Sequence, residues 1–188
     1  MKLIPSFVKK YPIYSFLAFL EFCFLLSKGY FLQSDSGGYI EASAHRGLFY
    51  PVFLKACLLF GNFYFVVFIQ LALAFLTCFK FNQVLNKLFN RKMPEILQIV
   101  VFTFIMTPYI GFTIIGNTIL TEPIAFPLFI LFVSEILLWV NSKQIKHLLF
   151  SVTFCVCLML TRKQFGYVFA LFYIYLFLDF VKFKKVKL

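Results

Sequence analysis

The sequence predicts an all-α protein, a polytopic membrane helical bundle, from its composition, its low charge and its runs of apolar residues. The 188 residues are 62% hydrophobic and only 13% charged, with a mean hydropathy of +0.92. A soluble domain is about half apolar and about a quarter charged, and a small one leaves much of its surface in water. We therefore expect an integral membrane protein. Disorder is excluded, because it requires few apolar residues and high charge.

Six apolar runs predict six transmembrane helices, because a hydrocarbon core of about 30 Å needs about 20 apolar residues per helix. The first run lacks a small-residue cleavage site, which favours an anchor over a signal peptide. The last apolar block is split by Arg162 and Lys163 into two helices. The whole chain, 1–188, is predicted to be a single transmembrane domain. Its spans are about 11–32, 62–83, 94–109, 122–140, 147–161 and 164–181, and its outer loop is 33–61.

The basic residues predict a multi-pass protein of the bacterial inner (plasma) membrane with both termini cytoplasmic. With the N-terminus inside, most of the 18 lysines and arginines fall on the inner side, as the positive-inside rule requires. The net charge of +11 is spread over short clusters, so we expect membrane lipids and no nucleic acid as partners. The exceptions on the outer side point to function. They are Lys28, Arg46, Lys55, Arg162 and Lys163.

The first outer loop, 33–61, contains the strongest local signal for a site. Asp35 directly follows the first span, and a short interfacial helix is predicted from Tyr39 to the Tyr50-Pro51 pair, with a second interfacial segment at 52–60. The apolar row of the first helix would be Ile40, Ala44 and Leu48, and its polar row Glu41 and His45. A carboxylate at the membrane surface suits a general base. The alternative for Asp35 is a helix N-cap.

The other outer charges also allow two interpretations each. Glu122, between Thr121 and Pro123, lines a site or belongs to an ordinary helix start. The Arg162-Lys163 pair binds a phosphate through the guanidinium fork or anchors lipid headgroups. Glu41 and His45 would ordinarily form an ion pair at the surface. Arg46 and Lys55 would ordinarily contact lipid headgroups.

Groups inside the predicted spans are expected to be structural. Glu21 and Glu135 lie in mid-span, where charge is costly, so both should face the protein interior. The five cysteines are an odd number and lie mostly in apolar runs, so we interpret them as small hydrophobic residues. The sequence contains no nucleotide-phosphate loop, metal cluster or Ser-His-Asp pattern. No metal site and no certain cofactor are predicted, and a need for a divalent cation is left open.

Three ordered segments resemble the N-terminal membrane region of C-type glycosyltransferases, in the branch of protein O-mannosyltransferases and aminoarabinose transferases. They match an acidic first outer loop followed by Gly…Tyr-Pro, an acidic residue that opens a later span, and a Leu-x-Arg step at an outer helix end. The segments are Asp35-Ser-Gly-Gly-Tyr39-Ile-Glu-Ala42 with Arg46-Gly47-Leu-Phe-Tyr50-Pro51-Val-Phe-Leu54, then Leu120-Thr121-Glu122-Pro123, then Leu160-Thr161-Arg162-Lys163.

The resemblance implies transfer of a sugar from a polyprenyl-phosphate donor to a hydroxyl or amine acceptor at the outer membrane face. Asp35 would orient or deprotonate the acceptor. Arg162, with Lys163, would stabilise the departing phosphate, where negative charge develops. Glu122 would line the substrate cavity, and the loop residues Tyr39, His45 and Arg46 would bind substrate. The displacement would invert the anomeric centre. Where several relatives carry a second acidic residue, this chain has Ser36.

Two further expectations follow from the length of the chain and from its mid-span acids. Members of this family are longer, so the chain is expected to be part of a longer enzyme, a truncated copy or one part of a split system with a partner subunit. A non-catalytic membrane subunit or remnant is therefore one alternative. A small transporter is the other, with Glu21 and Glu135 as its coupling carboxyls.

Overall fold

The computed structural model describes residues 9–43, 47–89, 93–110 and 115–185, with side chains up to residue 177, and these residues are helical or in short connections. The all-α prediction is confirmed for this part of the chain. Two single 3₁₀ turns, Ile115–Asn117 and Lys163–Phe165, lie between helices. The helices are α1 Pro12–Ser27, α2 Ser36–Ile40, α3 Phe49–Phe60, α4 Phe63–Leu88, α5 Glu95–Ile110, α6 Glu122–Ser142, α7 Ile145–Thr161 and α8 Gly166–Lys185.

Each of the six long apolar segments is helical, with ends a few residues from the predicted ones. The first helix ends at Ser27 because Gly29 adopts a left-handed conformation (φ 75°), which commonly terminates helices. The second long helix, α4, begins after Asn62, whose side-chain Oδ1 accepts a hydrogen bond from the backbone N–H of Tyr64 at 3.0 Å. This cap satisfies a backbone donor that would otherwise have no partner within the helix.

The predicted helix from Tyr39 to Tyr50 is wrong. The observed helix, α2, ends at Ile40, and Ala42 then takes a left-handed conformation (φ 54°) that helix cannot continue through. The Tyr50-Pro51 pair does not end a helix but lies in the first turn of α3. Proline is tolerated there because its missing N–H has no helical partner in that turn. Ala44, from the predicted apolar row, lies outside the described residues.

By length and composition, two helices of the described chain could cross a membrane. These are α4, with 26 residues, and α6, with 21. The helices α1 and α5 have 16 residues each, which at 1.5 Å per residue span about 24 Å. That is shorter than a hydrocarbon core of about 30 Å. Length and composition together therefore identify two of the six predicted spans within the described residues.

The bundle has two polar ends joined by an apolar core. Helix α6 packs most closely against α7 and α4. At the end we call the loop end, the side-chain amide of Asn117 donates a hydrogen bond to the carbonyl of Leu25 at 2.7 Å, and the backbone carbonyl of Asn117 accepts one from the N–H of Phe31 at 2.9 Å. These bonds fasten the segment before α6 to the end of α1.

We call the opposite end the basic end, because the turn with Lys143 and Lys146 lies there. At this end, buried polar groups join α1, α4 and α5. The carboxylate of Glu95 accepts a hydrogen bond from the N–H of Tyr14 at 2.8 Å. The side-chain amide of Asn82 donates to the Tyr14 hydroxyl at 3.3 Å. Hydrogen bonds from buried polar side chains therefore join separate segments of the chain at both ends of the bundle.

Candidate functional site

The three segments singled out in the sequence lie at the loop end of the bundle. Gly47 packs directly on the last residues of α7: a Cβ atom added to it would overlap the carbonyl oxygens of Leu160 and Thr161. Only glycine permits so close an approach of two backbones. The outer loop therefore lies, at Gly47, against the helix end that carries Arg162.

Glu122 and Arg162 form an ion pair at this end. The distance between Arg162 Nη2 and Glu122 Oε1 is 3.0 Å, and the side chains are 36% and 33% exposed. The Thr121 hydroxyl donates to the other carboxylate oxygen, Oε2, at 3.3 Å. Thr121 occupies the N-cap position of α6 but makes no capping hydrogen bond with its side chain. The first turn of α6 thus holds its acid against the end of α7.

The ion pair stands in the wall of a cavity of about 270 Å³. The rest of the lining is mainly apolar and aromatic. The Tyr109 hydroxyl at this wall is buried and donates to the backbone carbonyl of Pro123 at 3.1 Å. Such a cavity suits a ligand with an anionic group and an apolar part: Arg162 would bind the anionic group, and the apolar lining would contact the rest of the ligand. The lining residues are Pro108, Tyr109, Ile115, Glu122, Ala125, Phe126, Arg162 and Phe165.

Two tyrosines of the first outer loop are buried next to this site. The ring of Tyr39 packs edge-on against Tyr50, with 5.3 Å between centroids. The Tyr50 hydroxyl accepts a hydrogen bond from the amide of Gln70 at 3.3 Å, and the same amide donates to the carbonyl of Thr118 at 3.3 Å. Burial raises the pKa of the Tyr50 phenol, and the nearby charge of Glu122 raises it further. Tyr50 therefore remains a neutral phenol beside the carboxylate.

Asp35 lies at the exposed start of α2. It occupies the N-cap position, but its side chain makes no capping hydrogen bond, so the cap alternative does not account for it. Lys163 is exposed at the first residue of the turn between α7 and α8. The predicted substrate contacts His45 and Arg46 lie outside the described residues.

Sequence reasoning missed the residues that complete the cavity wall and support it. For Tyr50 the Tyr50-Pro51 pair is a local signal in the sequence. Gln70, Tyr109 and Phe165 carry no local signal, because their role depends on contacts between distant helices.

The mid-span acids differ from each other. Glu135 is buried, as expected, and its carboxylate bonds both Lys80 of α4 and His147 of α7, with Nδ1 of His147 at 2.6 Å from Oε2. Glu21 is half-buried, and its Oε1 atom has no hydrogen-bond partner among the described residues. Within those residues no group of three or more His, Cys, Asp or Glu could hold a metal ion. All five cysteines are described and free.

Comparison of the chain with known protein families, with curated proteins and with solved structures found no match.

Proposed function

We propose that this chain is an integral membrane protein of six crossings whose loop end faces away from the cytoplasm. The support is the large number of exposed apolar side chains on the outside of the bundle. Soluble monomeric proteins rarely expose apolar patches of this extent. Phe16 and Phe19 of α1 are 61% and 63% exposed, Phe104 of α5 is 80% exposed, and Phe177 of α8 is 67% exposed. In a bilayer these faces would meet lipid.

The arrangement of the helices supports the same orientation. Every outer segment of the predicted topology has hydrogen bonds or contacts at the loop end. Lys80, with the turn that carries Lys143 and Lys146, lies at the basic end. Both termini would then be on the cytoplasmic side of the plasma membrane, in keeping with the positive-inside rule.

We infer that the loop end transfers a sugar from a polyprenyl-phosphate donor to an acceptor, and that the chain does this alone or as part of a larger enzyme. The observation that carries the proposal is the Glu122–Arg162 pair in the wall of the cavity. The acceptor oxygen or nitrogen would attack the anomeric carbon while the bond from that carbon to the phosphate oxygen breaks. Arg162 would stabilise the phosphate that leaves, and Asp35 would accept the acceptor's proton.

The position of each group supports its role. Asp35 is exposed to solvent, where a water-soluble acceptor arrives, whereas Arg162 is half-buried beside an apolar cavity. Tyr39 and Tyr50 are buried and pack edge-on against each other beneath the loop that bears Asp35, so they support that loop from inside the bundle. Donor and acceptor would therefore approach from membrane and water respectively.

The test is binding of undecaprenyl phosphate to the protein in nanodiscs. Arg162→Ala is expected to weaken binding by an order of magnitude or more, because a charge-assisted bond is worth about 1.5–3 kcal/mol. Lys146→Ala is the matched control: it removes the same charge at the basic end of the same bundle and should leave binding unchanged. Equal and weak binding by all three proteins would mean that Arg162 only anchors headgroups, and would refute the proposal.

A further inference from the structure

A groove with apolar walls runs between α6 and α8, on the outside of the bundle. Its volume is about 510 Å³. Tyr167 and Leu171 at its rim are 63% and 62% exposed, so the groove is open on its outer side. The walls come from both helices and include Phe129, Phe132, Val133, Val168, Leu171 and Phe172.

One end of the groove adjoins the cavity beside Arg162. The ring of Phe129, in the groove, stacks on the ring of Phe165, with 6.4 Å between centroids and 29° between planes. Phe165 in turn lines the cavity that contains the Glu122–Arg162 pair. The groove and the cavity are therefore adjacent, with the stacked rings of Phe129 and Phe165 between them.

The groove has the length and width for a single hydrocarbon chain. On α6 its lining extends from Phe129 to Val140, which is about 16 Å along the helix. The rings of Phe132 on α6 and Phe172 on α8 lie 5.3 Å apart between centroids, so the cleft between the two helices is narrow at its floor and admits one chain more readily than two side by side. Its walls are aliphatic and aromatic throughout.

The charges fit an anionic head on that chain. Arg162 stands in the wall of the adjoining cavity, and the exposed Lys163 follows it in the turn that leads into α8. The groove itself has no charged side chain among its lining residues. The ligand should therefore carry a negative charge at one end, to pair with the basic side chains. At its other end it should carry a single long apolar chain, which the groove would bury.

We propose that the groove between α6 and α8 binds the prenyl chain of the same polyprenyl phosphate whose phosphate pairs with Arg162. The inference rests on the proposed donor site and adds the position of the donor's tail. A prenyl phosphate has one chain, whereas a glycerophospholipid such as phosphatidic acid has two. The tail would leave the bundle between α6 and α8, and the phosphate would be held at the loop end.

The test uses farnesyl phosphate with a photoreactive diazirine at the end of its chain, bound to the protein in nanodiscs. Irradiation is expected to label residues toward the far end of the groove, such as Ile136, Val140 and Tyr175, and unlabelled farnesyl phosphate should compete while phosphatidic acid should not. Val133→Phe, which fills the groove, should reduce labelling about fivefold, the equivalent of about 1 kcal/mol. The effect is modest because bilayer lipid offers the tail an equally apolar environment.

Two controls separate this inference from the proposed function. Val100→Phe makes the same substitution on α5, at a position 56% exposed, and should leave labelling of the groove intact. If Arg162→Ala abolishes saturable binding but the label scatters over exposed faces such as those of Phe16 and Phe104, the phosphate site stands and the groove is refuted. Competition by phosphatidic acid also refutes it. If no saturable binding occurs, the proposed donor site fails as well.

Discussion

At the scale of single residues, the guanidinium of Arg162 is already paired with an anion, the carboxylate of Glu122. The two side chains lie 3.0 Å apart and are each about one-third exposed, so solvent screens the pair and its contribution is at most about 1 kcal/mol. A phosphate that binds Arg162 must displace this carboxylate or share the guanidinium with it. If a phosphate binds at the cavity, the pair would therefore set the strength of that binding.

Glu122→Gln is expected to tighten binding of undecaprenyl phosphate about fivefold, because the amide keeps the size of the side chain and removes the competing charge. The measurement is a titration in nanodiscs. Glu41→Gln is the control, since it makes the same change at an exposed position of the first outer loop and should have no effect. Weaker binding by Glu122→Gln would mean that the carboxylate orients Arg162 rather than competing for it.

Partners of buried charges could not be predicted from the sequence. Glu135 was expected to face the interior, and it does, but Lys80 is 55 positions away along the chain and His147 is 12 away. No helical spacing relates such residues, because they meet only when α4, α6 and α7 pack together. Arg162 and Glu122 were each identified by local pattern, whereas their pairing required the fold.

At the scale of elements, contacts between loop and helix hold the site together. Gly47→Ala would force the loop away from the carbonyls of Leu160 and Thr161 and so displace the residue that follows them, Arg162. We expect the free energy of unfolding to fall by about 1–3 kcal/mol, as for other overpacked contacts, and lipid-phosphate binding to weaken severalfold. Thermal unfolding and the same nanodisc titration would measure the two effects.

Gly37→Ala is the matched control for this prediction. An added Cβ at Gly37 meets no atom within 4 Å, although this glycine lies in the same outer loop. The substitution should leave both stability and binding unchanged. Equal effects at the two positions would show that loop flexibility, rather than the close contact of Gly47, maintains the site.

The helices at this scale followed from apolar runs and their length, but the helix ends depended on single residues. Gly29 ends α1 through its left-handed conformation, and Ala42, which carries no such signal, does the same after α2. Pro51 was interpreted as a stop and instead lies in the first turn of α3. An apolar run predicts that a segment is helical. The residues at which the helix begins and ends depend on turn geometry, which the local sequence specifies weakly.

At the scale of the whole molecule, the apolar surface and the two polar ends require alternate crossing of the bilayer, if the chain spans it. The loop between α1 and α3 and the turn between α7 and α8 lie at one end of the bundle, and the turn between α6 and α7 lies at the other. A water-soluble reagent that cannot cross the membrane therefore distinguishes the two ends in cells.

Single cysteines at Gly37, Gly166 and Gln144 test this topology in a background whose five native cysteines are replaced by alanine. The two glycines have space for a side chain, because an added Cβ meets nothing within 4 Å, and Gln144 is exposed. An impermeant maleimide should label Gly37→Cys and Gly166→Cys in intact cells, and Gln144→Cys only after the membrane is opened. The reverse pattern would invert the orientation and move Asp35 and Arg162 to the cytoplasmic side. Labelling of all three in intact cells would contradict alternate crossing, and would leave the apolar faces of α1 and α5 to be covered by protein instead of lipid.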